Sequence, residues 1–282
     1  MSDASADHSP PAPFELLDLR PSTDPTSFRL VALDRLCTPF RFLYGGSGVA
    51  ASAEAAERAT GRPVQWMTTQ FLAPPGPGAE LDVDVSVMAT GRASSQTQVT
   101  VTDVATGQPM LTSLAAHNVR ATGDERFFAA MPSVDPPEAC GDFFEPFAIV
   151  EHESFFAHLE RRMAAGRLAQ DAVDQPDDGP LAIWVRLRDG DIGSAATQAF
   201  VADIGPLAAC ARLGVPPGGT SLDNTLRVVD TAPSEWVLFD MQVDGFARSV
   251  AHTTVQVWSE DGRLLGLAQQ SAIIRTSHHD RR

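Results

Sequence analysis

The 282-residue chain contains no lysine, and all 21 of its basic residues are arginine. That absence excludes a Schiff-base lysine, a pyridoxal-phosphate anchor and a lysine-bearing phosphate loop. Cysteine is scarce as well. Cys37, Cys140 and Cys210 lie far apart and are odd in number, which fits reduced thiols acting as small apolar fillers better than a disulfide framework or a zinc site. No apolar run approaches the ~20 residues that a membrane-spanning helix needs. The start, "MSDASADHSPPAPFELL", lacks a basic n-region and an apolar h-region. It reads as a short disordered lead to a cytoplasmic protein. Positive charge is in deficit, with 36 acidic residues and a net charge of −15. Such a field repels polyanions, so nucleic acid is not an expected partner.

What is present is a pattern stated twice. "YGGSGVAASAEAAERATG" (44–61) is rich in small residues, opens on glycines and closes on Gly61. It predicts a buried helix. Strand patterns follow at 64–72, 81–89, 95–104 and 110–119, several alternating apolar and polar residues. "TQAFVADIGPLAACARLG" (197–214) then predicts a second helix, with strands at 220–229, 235–245, 249–258 and 263–275. The two series superpose at an offset of about 155 residues, which sets Gly107 on Gly262, Glu80 on Glu235, Trp66 on Ser221 and Ala115 on Gln270. This is an internal duplication of one helix followed by an antiparallel meander. The segment 180–190 predicts a further strand, 152–170 a partly helical stretch, and 171–180 a polar loop. His117 and His252 fall in strands and are read as structural, and His278–His279 in the polar tail are not read as a metal site.

A long small-residue helix wrapped by an antiparallel sheet resembles the hotdog unit. The segments "FLYGGSG" (42–48), "VQWMTTQFLAPPGPGAELDVDVSV" (64–87), "WVRLRDG" (184–190), "ADIGPLA" (202–208), "TSLDNTLRV" (220–228) and "SEDGRLLGLAQQSA" (259–272) resemble the acyl-CoA thioesterase II family and its thioesterase-like relatives. The resemblance spans roughly residues 14–276. It implies an α+β double hotdog, with units at 14–120 and 148–276 and a linker at 121–147. It also implies hydrolysis of an acyl-CoA to free acid and CoA, with no cofactor or metal. Further association into a homo-oligomer through sheet edges is open.

In that family an acid, a hydroxyl and an amide in the second half hold and activate a water. The matching positions here are Asp203, Ser221 and Gln270. Gln270 lies eight residues after the turn glycine Gly262, and Gln269 then faces outward. Ser221 stands where the family commonly has Thr. Ser47 stands where Gln often follows the two glycines. Gly45, Gly46 and Ser47 are the substrate-binding candidates, because glycines at a helix start let backbone N–H groups approach a thioester oxygen. Asp223, two residues after Ser221, is an alternative carboxylate on the expected same strand face. Tyr44 is expected at a cleft mouth or sheet edge. Arg92, Arg248 and Arg275 are candidates for phosphate contacts or plain surface charges.

Each residue of the set also has a plain structural reading. Asp203 could cap the turn before Gly205–Pro206, Ser221 could satisfy a strand start, and Gln270 could bond backbone. The rival function is a non-catalytic acyl-binding protein that retains the fold. A hotdog hydratase would want an Asp–His pair, and no histidine lies within six residues of Asp203.

Overall fold

The computed structural model describes residues 13–119, 126–143, 154–167, 179–216 and 218–276. The first helix, α1 (Gly45–Thr60), is buried at every position from Gly46 to Glu57. Its Ala, Gly and Ser side chains are short, so neighbours approach its backbone from all sides, and alanine adds high helix propensity. The strands β3 (Val64–Phe71), β4 (Glu80–Thr90), β5 (Ser94–Asp103) and β6 (Pro109–Asn118) pack on it. Gly61 ends the helix at φ 65°, and its N–H closes on Glu57 O at 2.7 Å.

The second expected helix is two helices. α2 (Ala195–Val201) and α3 (Gly205–Leu213) are separated by Ala202–Ile204. Pro206 accounts for the break, because it has no N–H for a carbonyl one turn back and is accommodated only in the first turn of a new helix. Ala202 N–H still closes on Gln198 O, but Ile204 sits at φ −122° and ψ 6° before α3 begins. The single-helix expectation for 197–214 is corrected accordingly. Strands β10 (Thr220–Val228), β11 (Val237–Ala247), β12 (Val250–Ser259) and β13 (Leu264–Ile273) complete the second series.

The segment 152–170 also departs from expectation. Where described, it forms a 3₁₀ turn, Phe155–His158, and a strand, β8 (Leu159–Ala165), paired with β9 (Leu181–Leu187). Pairing with an available neighbour overrides a weak local helical preference. Residues 168–170 and most of the loop at 171–180 fall outside the described residues.

With β1 (Arg20–Pro21), β2 (Ser27–Val31) and β7 (Gly141–Asp142), the strands among the described residues form one antiparallel sheet. Its order is β1-β2-β4-β5-β6-β3-β10-β13-β12-β11-β9-β8-β7. The order repeats outward from the β3–β10 junction, where Thr68 faces Thr225 and their hydroxyls lie 2.8 Å apart. The duplication is therefore visible as a local pseudo-two-fold axis. Register refines the equivalences. Leu114 opposes Thr68 and Gln269 opposes Thr225, so β6 matches β13 as expected. The match of β3 to β10 is two residues further on. Val64 opposes His117 beside a bulge, and Ser221 opposes Ala272 beside the matching bulge. Ser221 thus corresponds to Val64, not Trp66, while Gln270 still corresponds to Ala115.

The stretch 126–143 is not a bare connector. Met131, Val134 and Cys140 pack on Trp184, Trp236, Leu238, Trp258 and Leu264, and Trp184 Nε1 donates to Asp135 O at 2.9 Å. This covers the tryptophan-rich part of the sheet's outer face with a second apolar layer.

α1 carries a buried acid outside the repeat's polar set. Glu57 accepts from Val64 N–H at 2.8 Å, and burial pushes its carboxyl up to about 7. A folded-state value above the unfolded one means that the contribution of Glu57 to stability is fullest below about pH 4.5 and is lost as pH rises through 7. Glu57→Gln is expected to gain about 3 kcal/mol over the parent at pH 8.5 and nothing at pH 4. Urea unfolding at both pH values checks this.

Candidate active site

The helix break places Asp203 side-on to the sheet, 8% exposed. Strand alternation brings two side chains to it. Gln270 on β13 and Asn224 on β10 are register partners, and both point inward. Gln270 Nε2 and Asn224 Nδ2 both donate to Asp203 Oδ1, the latter at 3.2 Å. Gln270 Nε2 also donates to Ser221 Oγ at 2.8 Å, and Gln270 Oε1 accepts from Gly205 N–H at 2.9 Å. The amide orientation follows, since Oε1 faces an N–H and Nε2 faces two acceptors. Pro206 and Gln270 act together here, because the break frees the Gly205 N–H that orients the amide.

α1 closes the site from the first half. The Gly46 N–H donates to the Asp203 carboxylate. A Cβ on Gly45 would collide with Asp203 Oδ2, and one on Gly46 would sit 2.5 Å from Phe200 O. Both positions therefore require glycine for close approach. Tyr44 OH donates to Asp203 O at 3.0 Å, and its ring stacks on Phe155 with centroids 3.7 Å apart. Tyr44 is buried at the site, deeper than the cleft mouth expected for it.

Burial is the main influence on Asp203 and pushes its carboxyl up to about 6, against the hydrogen bonds from Asn224, Gln270 and the Gly46 N–H. A carboxylate that titrates near 6 is ionised at neutral pH and still basic enough to take a proton.

Asp203 lies at a cavity of about 660 Å³ whose walls include Phe40, Phe42, Phe155, Ile183 and Phe239. Arg161 and Arg275 are the basic residues on its lining. The arrangement joins an apolar chamber to one buried, hydrogen-bonded carboxylate. It can hold an apolar group with a polar bond at its end.

Two expectations are corrected. Ser47 is fully buried, its hydroxyl donates to Leu36 O at 3.0 Å, and it is not on the cavity lining. Asp223 does not share a face with Ser221. The bulge between them shifts the alternation by one, and Asp223 instead accepts from Ser271 N–H at 2.8 Å. That same shift brings in Asn224, which period-two counting from Ser221 misses. Gln269 is exposed on the outer face. His117 is buried between Thr97 Oγ1 and Arg62 O, each at 3.0 Å, and His252 is exposed beside Ser271 Oγ. Of the three candidate arginines, Arg275 alone lines the cavity. His278 and His279 lie outside the described residues. Among the described residues, no three His, Cys, Asp or Glu side chains assemble as metal ligands.

Comparison with known proteins gives the class first. Residues 36–121 match the model of an acyl-CoA thioesterase N-terminal domain, and residues 130–274 that of an acyl-CoA thioesterase C-terminal domain. Solved structures agree in fold. A candidate thioesterase from Novosphingobium aromaticivorans is 28% identical, with a TM-score of 0.80 over 92% of this chain and 98% of that one. A hot dog fold protein from Alicyclobacillus acidocaldarius is 20% identical, with a TM-score of 0.80 over 94% and 100%. An acyl-CoA thioesterase II from Mycobacterium marinum is 18% identical, with a TM-score of 0.71 over 94% and 98%. A comparison with curated proteins returns no match. The molecule is a hotdog-fold thioester hydrolase. It belongs to the acyl-CoA thioesterase family.

Because Ser47 bonds only to backbone, Ser47→Ala is expected to cost about 1 kcal/mol of stability and to leave KM for an acyl-CoA within twofold. Thermal melts and steady-state kinetics on the same preparation check both halves.

Proposed function

We propose that the chain is a double hotdog, with tandem units at 14–120 and 148–276 joined by 121–147, and that it hydrolyses apolar acyl-CoA thioesters at a site built on the second unit. The observation that carries this reading is the bonded set Asp203–Gln270–Ser221, whose Asp203 lines an apolar cavity.

In this mechanism the acyl chain lies in the cavity and the thioester carbonyl reaches Asp203. The attacking water sits between Asp203 Oδ2 and Ser221 Oγ. Gln270 holds both of those groups rather than the water itself, because its two N–H bonds and its carbonyl are taken by protein partners. Asp203 withdraws a proton as the water oxygen bonds to the carbonyl carbon. The oxyanion takes the N–H of Gly45, a first-turn group that no preceding turn satisfies. The C–S bond then breaks, and the proton passes from Asp203 to the departing thiolate, giving acid and CoA thiol. The first half has Val64 and Ala115 where the second has Ser221 and Gln270, which supports one such site per chain.

Thiol release from acyl-CoAs of graded chain length is the test. Asp203→Asn is expected to lose about 10²–10⁴-fold in kcat, the range for a general base. Activity should fall as pH drops below about 6, because protonated Asp203 cannot accept a proton. Gln270→Ala should cost at least about tenfold and Gln269→Ala little, since only the former touches Asp203. Tight acyl-CoA binding without thiol release would favour the acyl-binding reading.

A further inference from the structure

We infer that Asn224 is a positioning residue for this hydrolysis, pinning Oδ1 of Asp203 so that Oδ2 is the oxygen that takes the water's proton. The inference rests on the reading above. Asn224 is 2% exposed, and its Nδ2 reaches Asp203 Oδ1 at 3.2 Å from the strand opposite to that of Gln270. Two amide donors from adjacent strands converge on one oxygen, and the other lies where a Cβ on Gly45 would collide with it. A carboxylate held by two donors on one edge cannot rotate freely, so its second oxygen has a fixed direction.

The framework itself does not require an amide there. The matching position in the first half is Met67, also buried, in the same register against β6. An unbranched apolar side chain therefore fits this strand. Among the described residues, the groups that meet Asp203 are few. Asn224 and Gln270 come from the two strands and are neutral, and the Gly46 N–H comes from α1. Tyr44 comes from the start of α1 and spends its hydroxyl on the Asp203 carbonyl. Arg161 and Arg275 lie on the cavity lining, and the Asp223 carboxylate is tied to Ser271 N–H.

The experiment titrates the Asp203 carboxyl by ¹³C NMR in aspartate-labelled protein, with Asp203→Asn giving the assignment. Asn224→Met removes the donor. Asn224→Asp keeps its shape and replaces the donor with a like charge. Asn224→Met should raise the Asp203 midpoint by about one to two pH units, as for loss of one charge-assisted hydrogen bond. Asn224→Asp should raise it at least as far. The acid limb of kcat/KM for a cleaved acyl-CoA should move by the same amount, with kcat falling about tenfold or more and KM changing less than twofold. Unmoved midpoints in both folded variants would overturn the inference. If the parent released no thiol yet the midpoints moved, the hydrolytic reading would fail and the Asn224–Asp203 coupling would stand. If the parent hydrolysed and the midpoints stayed, the reverse would hold.

Discussion

The structure depends on one interruption, the break between α2 and α3. A continuous helix would bond the Gly205 N–H to a carbonyl one turn back. Pro206 prevents the regular path, and that N–H goes to Gln270 Oε1 instead. The amide so held turns its nitrogen to Asp203 and Ser221. A backbone irregularity in the helical layer thereby sets the orientation of a side chain in the sheet, and that side chain fixes the carboxylate in the gap.

The energetics of the gap oppose each other. Removing Asp203 from water disfavours its charge. Donors from Asn224, Gln270 and Gly46 N–H restore part of that loss but not all, leaving the carboxyl near 6. A fully compensated carboxylate would be a weaker base, and an uncompensated one would be neutral at pH 7. The site lies between those limits because α1 and β10 each add one donor beside Gln270. It is assembled across the duplication: glycines from the first half's helix press against an acid from the second.

The duplication also explains the asymmetry. The same sheet order extends on both sides of the Thr68–Thr225 pair, so the framework is duplicated. Val64, Met67 and Ala115 then show what the scaffold needs at the positions of Ser221, Asn224 and Gln270: ordinary buried packing. Polar groups at those places in the second half are additions to the fold, each bonded to another. A buried polar group without a partner would cost stability, so such a set is kept whole or not at all.

The family resemblance pointed to Asp203, Ser221 and Gln270, and periodicity and glycine spacing in the sequence determined the α1 helix, the meander strands and the duplication. These rest on local signals: small-residue runs, period-two alternation and turn glycines. What only the tertiary structure decided is finer by one or two residues. The bulge beside Ser221 exchanged Asp223 for Asn224, because a bulge inverts the facing of every later residue on its strand and leaves no mark in alternation. Ser47 proved to be spent on Leu36 because the partner of a buried hydroxyl comes from a chain segment remote from its own helix. Within the 152–170 stretch, Leu159–Ala165 became a strand because β9 was beside it to pair with. Register, bulges and cross-layer hydrogen bonds depend on which segments meet in space, and a sequence read along its length cannot supply that.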